Sequence, residues 1–210
     1  MSEASKIQLI EYARKMNRSG INQGTSGNLS VRQDDWMLIT PSAVPYDDLE
    51  PGDIVQVNFD GSAVGSRKPS SEWRLHLDVY RDRPDARAIL HAHPVHCTAL
   101  ACLRRDIPAF HYMVAVAGGS DIRCSPYATF GTQELSEHAV AALEGRKACL
   151  MANHGLVCLA DNLDAALALA IEIESLARSY LQCLSVGEPV ILDEDEMNRV
   201  LMKFESYKPE

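Results

Sequence analysis

The sequence predicts one α/β domain spanning residues 1–210. Strand-like and helix-like segments alternate along the chain, and no low-complexity linker, like-charge block or repeat interrupts them. A length of 210 residues with 46% hydrophobic content suffices for one sizeable core and is short for two ordinary domains.

Residues 7–16 carry apolar side chains at helical spacing, and Gly20 lies where the chain leaves that helix. β-Rich runs follow at 29–31, 37–39 and 54–59, the last closed by an Asp60-Gly61 turn. Ser70 or Ser71 is expected to cap a helix with Trp73, Leu77 and Tyr80 on one side, ended by Arg83-Pro84. A strand at 88–90 leads to Pro94, which suits the first turn of a short helix reaching about Leu103. Residues 114–116 read as a strand, Thr132 opens a helix with Leu135, Val140 and Leu143, and strands follow at 149–151 and 156–159. The longest helix, 163–184, is apolar on more than one face and is expected to be buried by the sheet and by another subunit. Asp193 and Glu196 form a capping box for a last helix through Val200, Leu201 and Phe204.

Composition narrows the function. A formal net charge of −9 without a Lys/Arg cluster offers no electrostatic footprint for nucleic acid or an acidic membrane. No run approaches the length of a membrane span, and the N-terminus lacks a basic start with an apolar core, so the chain reads as cytoplasmic. The six cysteines contain no C-x-x-C and sit mostly among Ala, Leu and Val, as reduced, buried thiols do.

The apolar run at 88–92 carries His91 and ends just before His93 and Pro94. Side chains at i and i+2 of a strand leave the same face, so His91 and His93 can hold one metal ion together. Seven histidines placed at random would give such a pair about 0.2 times, so further ligands are needed to support a site. His154 closes another apolar run before a glycine, and Glu72 follows Ser70-Ser71. Three imidazoles with an open position form a common catalytic zinc arrangement, and His91, His93 and His154 fit that count. Gly24-Thr25-Ser26-Gly27-Asn28, Thr40-Pro41-Ser42-Ala43 and Ser70-Ser71 are hydroxyl-rich or glycine-rich segments suited to holding an anion through N–H and O–H donors.

The chain resembles the class II aldolase/adducin-like family in seven motifs that occur in family order. They are Asn22-Gln23-Gly24-Thr25-Ser26-Gly27-Asn28-Leu29-Ser30-Val31-Arg32, Ile39-Thr40-Pro41-Ser42, Pro69-Ser70-Ser71-Glu72-Trp73-Arg74, His91-Ala92-His93-Pro94-Val95-His96, His111-Tyr112-Met113, Pro126-Tyr127-Ala128-Thr129-Phe130-Gly131-Thr132 and Asn153-His154-Gly155. The resemblance implies a three-layer α/β/α sandwich around a mostly antiparallel sheet, assembled as a homotetramer with sites between subunits. It implies that one zinc per subunit is bound by His91, His93 and His154. Glu72 is implied as catalytic acid/base and as a ligand when no substrate is present. Gly27, Asn28, Ser42, Ala43, Ser70 and Ser71 would hold a substrate phosphate, while Tyr112, reaching a neighbouring subunit's site, and Tyr207 would serve the aldehyde side.

The branch most resembled cleaves L-fuculose 1-phosphate reversibly to dihydroxyacetone phosphate and lactaldehyde. Such a cleavage leaves negative charge on the three-carbon fragment, where a Lewis-acid metal stabilises it. Proton transfer by Glu72 would favour a carboxylate whose pKa is raised by partial burial. Ala43 stands where that branch has glycine and Asn153 where it has a second histidine, which leaves room for 5-deoxyribulose or 5-methylthioribulose 1-phosphate as substrate. A methylthioribulose 1-phosphate dehydratase shares similar ligands. Pentose-phosphate 4-epimerases carry Asp where Glu72 stands, and non-catalytic adducin-like scaffolds are expected to lack the histidines. The lysines lie in polar or terminal contexts, unsuited to a Schiff base.

Overall fold

The computed structural model describes residues 3–206, so Tyr207 lies outside the described residues. Helix α1 (Glu3–Arg18) buries Leu9, Tyr12, Ala13 and Met16 along one stripe and ends before Gly20, whose φ of 79° takes the chain through the left-handed region. Strands β1 (Asn28–Arg32), β2 (Trp36–Ile39), β3 (Val55–Asn58) and β4 (Ala63–Val64) follow, then helix α2 (Trp73–Asp82). Strand β5 (Ala88–Ala92), helix α3 (Val95–Cys102), a 3-10 segment (Tyr112–Ala117) and strand β6 (Cys124–Ser125) precede helix α4 (Gln133–Ala142). The hairpin β7 (Ala148–Met151) and β8 (Gly155–Ala160) leads to the long helix α5 (Leu163–Val186) and to α6 (Glu194–Ser206).

The eight strands form one sheet in the order β4-β3-β2-β1-β5-β8-β7-β6, antiparallel at every pair except β6 with β7. Alternation sorts the side chains between two cores. Leu29, Leu38, Leu90, Leu150, Leu156 and Cys158 face α1, α3, α5 and α6. Met37, Ile39, Val55, Val57, Ile89, Met151, Val157 and Leu159 face α2 and α4. The result is the expected three-layer α/β/α sandwich with a mostly antiparallel sheet. Among the described residues, no helix is long and apolar enough to cross a membrane.

Several sequence expectations change at this level. Residues 114–116 are not a strand. They lie in the 3-10 segment, whose first turn is capped by His111 accepting from the Met113 N–H at 3.2 Å and whose end is Gly118 at φ 88°. The N-cap of α2 is Glu72 rather than either serine; Ser70 Oγ instead accepts the Glu72 N–H at 3.3 Å. Cys97, Cys149 and Cys158 are buried, whereas Cys102 and Cys183 are exposed. Thr132 and Asn162 cap α4 and α5, accepting from the N–H groups of Leu135 and Ala165.

Helix α3, which follows the His91–His93 strand end, is tied down from α5. The Glu174 carboxylate accepts the His96 N–H at 3.0 Å and the Cys97 N–H at 2.9 Å, two donors of the first helical turn that have no partner within the helix. Its Oε1 also lies 2.7 Å from His96 Nδ1. The chain leaving β5 is thereby anchored at the first turn of α3.

Candidate active site

His91 sits near the end of β5, a strand buried along its whole length, and His93 lies two residues on, past the strand end. His154 occupies the β7–β8 turn, where its N–H donates to the Met151 carbonyl at 3.0 Å. Since β5 pairs with β8, with His91 opposite Val157, this turn comes up beside the β5 end. The three rings gather with centroids 4.8–5.0 Å apart, and one nitrogen from each lies within 4.8 Å of the others.

Glu72 closes the group from α2. Its Oε2 is 3.0 Å from His91 Nε2 and its Oε1 is 3.2 Å from His154 Nε2. Oε1 is buried with that His154 contact alone and no further partner, so three imidazole nitrogens converge with a carboxylate beside them. Such a donor set fits a divalent ion that takes imidazole and carboxylate ligands. His91 Nδ1 lies 2.9 Å from the Leu156 carbonyl; donating to it fixes the ring tautomer and leaves Nε2 as the free ligand atom.

Burial, with the neighbouring imidazoles, pushes His93 down to about 4, so it is neutral and available as a ligand. Burial also lowers His91, but the Glu72 charge overcomes it and raises that pKa, and a bound metal would replace the proton. The expected rise in the Glu72 pKa is not found. Burial raises it, yet the His91 charge and the hydrogen bonding and charge of His154 hold it well below the usual carboxylate range. Without a metal the carboxylate is therefore ionised, the form that accepts a proton.

The anion-suited segments meet at the same end of the sheet. A bridge joins Pro41 to Pro69, the Ser42 N–H donates to the Lys68 carbonyl at 3.1 Å, and the Ser70 N–H donates to the Thr40 carbonyl at 3.0 Å. Ser42 and Ala43 thereby lie alongside Ser70 and Ser71. Thr40 in turn joins β1 through its N–H to the Leu29 carbonyl. Ala43 holds φ 58°, a left-handed conformation that costs a residue with a Cβ about 1–2 kcal/mol. Asn153, at φ 54°, is a residue type that tolerates that region.

Gly27 passes so close to the strand end that a Cβ would stand 2.6 Å from the His91 carbonyl oxygen. Both polar atoms of the Asn28 side chain are already partnered: Nδ2 donates to Glu72 Oε2 at 3.0 Å, and Oδ1 accepts from His76 Nε2, which leaves its backbone for an anion. Tyr112 is half exposed, stacks on His111, and lines a surface groove with Phe110, Met113 and residues of α6. Among the described residues it makes no hydrogen bond to the histidine cluster. His76 escaped sequence reasoning, although its position four residues after Glu72 places both on one helix face.

Gly155 is a second point of close approach. A Cβ there would stand 2.5 Å from the Ala92 carbonyl oxygen and 2.7 Å from His93 Cδ2. Gly155→Ala is therefore expected to displace the His93 ring and lower metal content, read by metal analysis of the purified variant. Metal content equal to that of the unaltered chain would mean that the ring has room to move.

Comparison with known proteins follows the same line. The sequence model described as Class II Aldolase and Adducin N-terminal domain matches residues 7–181. The chain is 57% identical over 199 residues to the 5-methylthioribulose-1-phosphate/5-deoxyribulose-1-phosphate aldolase of Rhodospirillum rubrum, covering 95% of this chain and 90% of that one. It is 51% identical over 201 residues to the L-fuculose phosphate aldolase of Escherichia coli, covering 95% and 94%. A solved structure of L-fuculose 1-phosphate aldolase superposes with a TM-score of 0.95 at 44% identity, covering 98% of each chain. With most of its length matched in this way, the chain belongs to the class II aldolase and adducin N-terminal domain family.

Proposed function

We propose that this chain, working as a single domain, cleaves a ketose 1-phosphate between its third and fourth carbons to dihydroxyacetone phosphate and a small aldehyde of the lactaldehyde type. The observation that carries the reading is the convergence of His91, His93 and His154 with the buried Glu72 carboxylate against two of them, Oε2 at His91 and Oε1 at His154. The relatives named for L-fuculose phosphate and for 5-deoxyribulose and 5-methylthioribulose 1-phosphates support both substrate types, which share the phosphorylated three-carbon half.

His91, His93 and His154 would hold one zinc ion, with Glu72 as a fourth ligand before substrate enters. When bound, the ion supplies Lewis-acid stabilisation of the charge left on the three-carbon fragment. Ionised Glu72 would take the proton from the carbon of dihydroxyacetone phosphate where the bond forms, and the protonated carboxyl would return it when the bond is broken. The Ser70 and Ser71 hydroxyls, with the Gly27, Asn28, Ser42 and Ala43 segments, grip the phosphate without a lysine. Tyr112 would move the proton on the aldehyde oxygen in a neighbouring subunit's site, with Tyr207 in support. Its exposure, and its lack of a bond to its own chain's histidines, favour that role. On this reading the protein is a cytoplasmic homotetramer.

A coupled assay for dihydroxyacetone phosphate, offering fuculose, 5-deoxyribulose and 5-methylthioribulose 1-phosphates with and without a zinc chelator, tests the proposal. Chelator-sensitive product is expected, and the rate order names the substrate. No product from any of the three would overturn aldol cleavage and favour dehydration, epimerisation or a scaffold.

A further inference from the structure

Behind Glu72 a buried polar chain runs along the seam between α2 and β1. Glu72, His76 and Tyr80 recur every four residues of the helix, and Asn28 and Ser30 every two residues of the strand. Four helical residues rise about 6 Å and two strand residues about 6.8 Å, so the two rows stay in register. The links are Asn28 Nδ2 to Glu72 Oε2 at 3.0 Å, His76 Nε2 with Asn28 Oδ1 at 2.5 Å, Ser30 Oγ with His76 Nδ1 at 2.7 Å, and Ser30 Oγ with Tyr80 Oη at 2.9 Å. All five residues are buried, Ser30, His76 and Tyr80 completely.

One end sets the direction of every bond. An ionised carboxylate only accepts, so Asn28 presents its amide NH₂ to Glu72 and its oxygen to His76. That oxygen requires a proton on His76 Nε2, and the unprotonated Nδ1 then accepts from the Ser30 hydroxyl, which accepts from Tyr80. Burial holds His76 down to about 3, so the ring is neutral and offers one donor and one acceptor, as the chain requires. Reversing the His76 tautomer would turn the Asn28 oxygen toward the carboxylate.

We propose that His76, its tautomer matched by Ser30 and Tyr80, is a positioning residue that locks the Asn28 amide so that Glu72 is gripped at Oε2 with Oε1 turned toward His154. This inference rests on the reading of Glu72 as the acid/base.

The test is a pair of mutant cycles on the zinc-loaded enzyme, using whichever of the three ketose 1-phosphates it cleaves fastest. His76→Leu is expected to lower kcat about 10–100-fold, the usual range for residues that orient a reacting group, with zinc per chain unchanged. His76→Gln, which keeps a donor and an acceptor, recovers most of the loss. Ser30→Ala lowers kcat in the same direction and serves the cycle if His76→Leu does not fold. In a Glu72→Gln background these substitutions are expected to cause little further loss, because the group they orient no longer moves a proton. An equal fold-loss in both backgrounds, no advantage of Gln over Leu, or zinc lost in step with activity would overturn the proposal. A Glu72→Gln variant with full turnover would instead overturn the acid/base reading itself.

Discussion

Glu72→Gln lowers turnover by about 10²–10⁴-fold, the range general acid–base groups contribute, while fold and assembly persist. The substitution keeps the size of the side chain and an oxygen able to accept from Asn28 Nδ2, so the seam between α2 and β1 is preserved. What it removes is the basic oxygen that faces His154. Steady-state rates of dihydroxyacetone phosphate release measure the loss, and unchanged turnover would take Glu72 out of the mechanism. Zinc content separates its two suggested roles: it is retained if the three imidazoles suffice and falls if the carboxylate is needed as a ligand.

His93→Ala acts earlier, on occupancy. His91 is fixed by the Leu156 carbonyl and His154 by its turn, so the variant leaves two imidazoles in place and opens the third position. A three-histidine site tolerates little loss, and zinc is expected to fall well below one per chain, with turnover falling alongside it. Metal binding also stabilises the folded chain in proportion to its occupancy. The rise in melting temperature on adding zinc should therefore shrink or vanish in His93→Ala. Full zinc retention would show that the ligand set is different.

Much of this site was legible because its residues sit where local rules operate. The i, i+2 spacing of His91 and His93 on an apolar run placed both at one strand end, and Thr132 announced α4 by its cap. The segment at Tyr112–Ala117 misled because its valines favour a strand by propensity, whereas the His111 cap and the left-handed Gly118 that decide the matter are single-residue effects. Strands β4 and β6, two residues each, owe their existence to pairing and leave no periodic trace. The Glu72–His76–Tyr80 stripe was hidden by its own burial. Trp73, Leu77 and Tyr80 read as an apolar face, and a polar row within a core becomes visible only beside the strand that satisfies it. The low Glu72 pKa likewise depends on imidazoles far away in sequence.

β5 stands in the middle of the eight-stranded sheet, with β1 and β8 on its flanks, and it carries His91. His91 is thus held in the buried centre of the sheet, whereas half-exposed Tyr112 lies on the surface beside α6. Inheritance can act on the two places separately. Relatives that carry different sugar-phosphate names fit such a division, in which an exposed surface is freer to change than a strand packed on both sides.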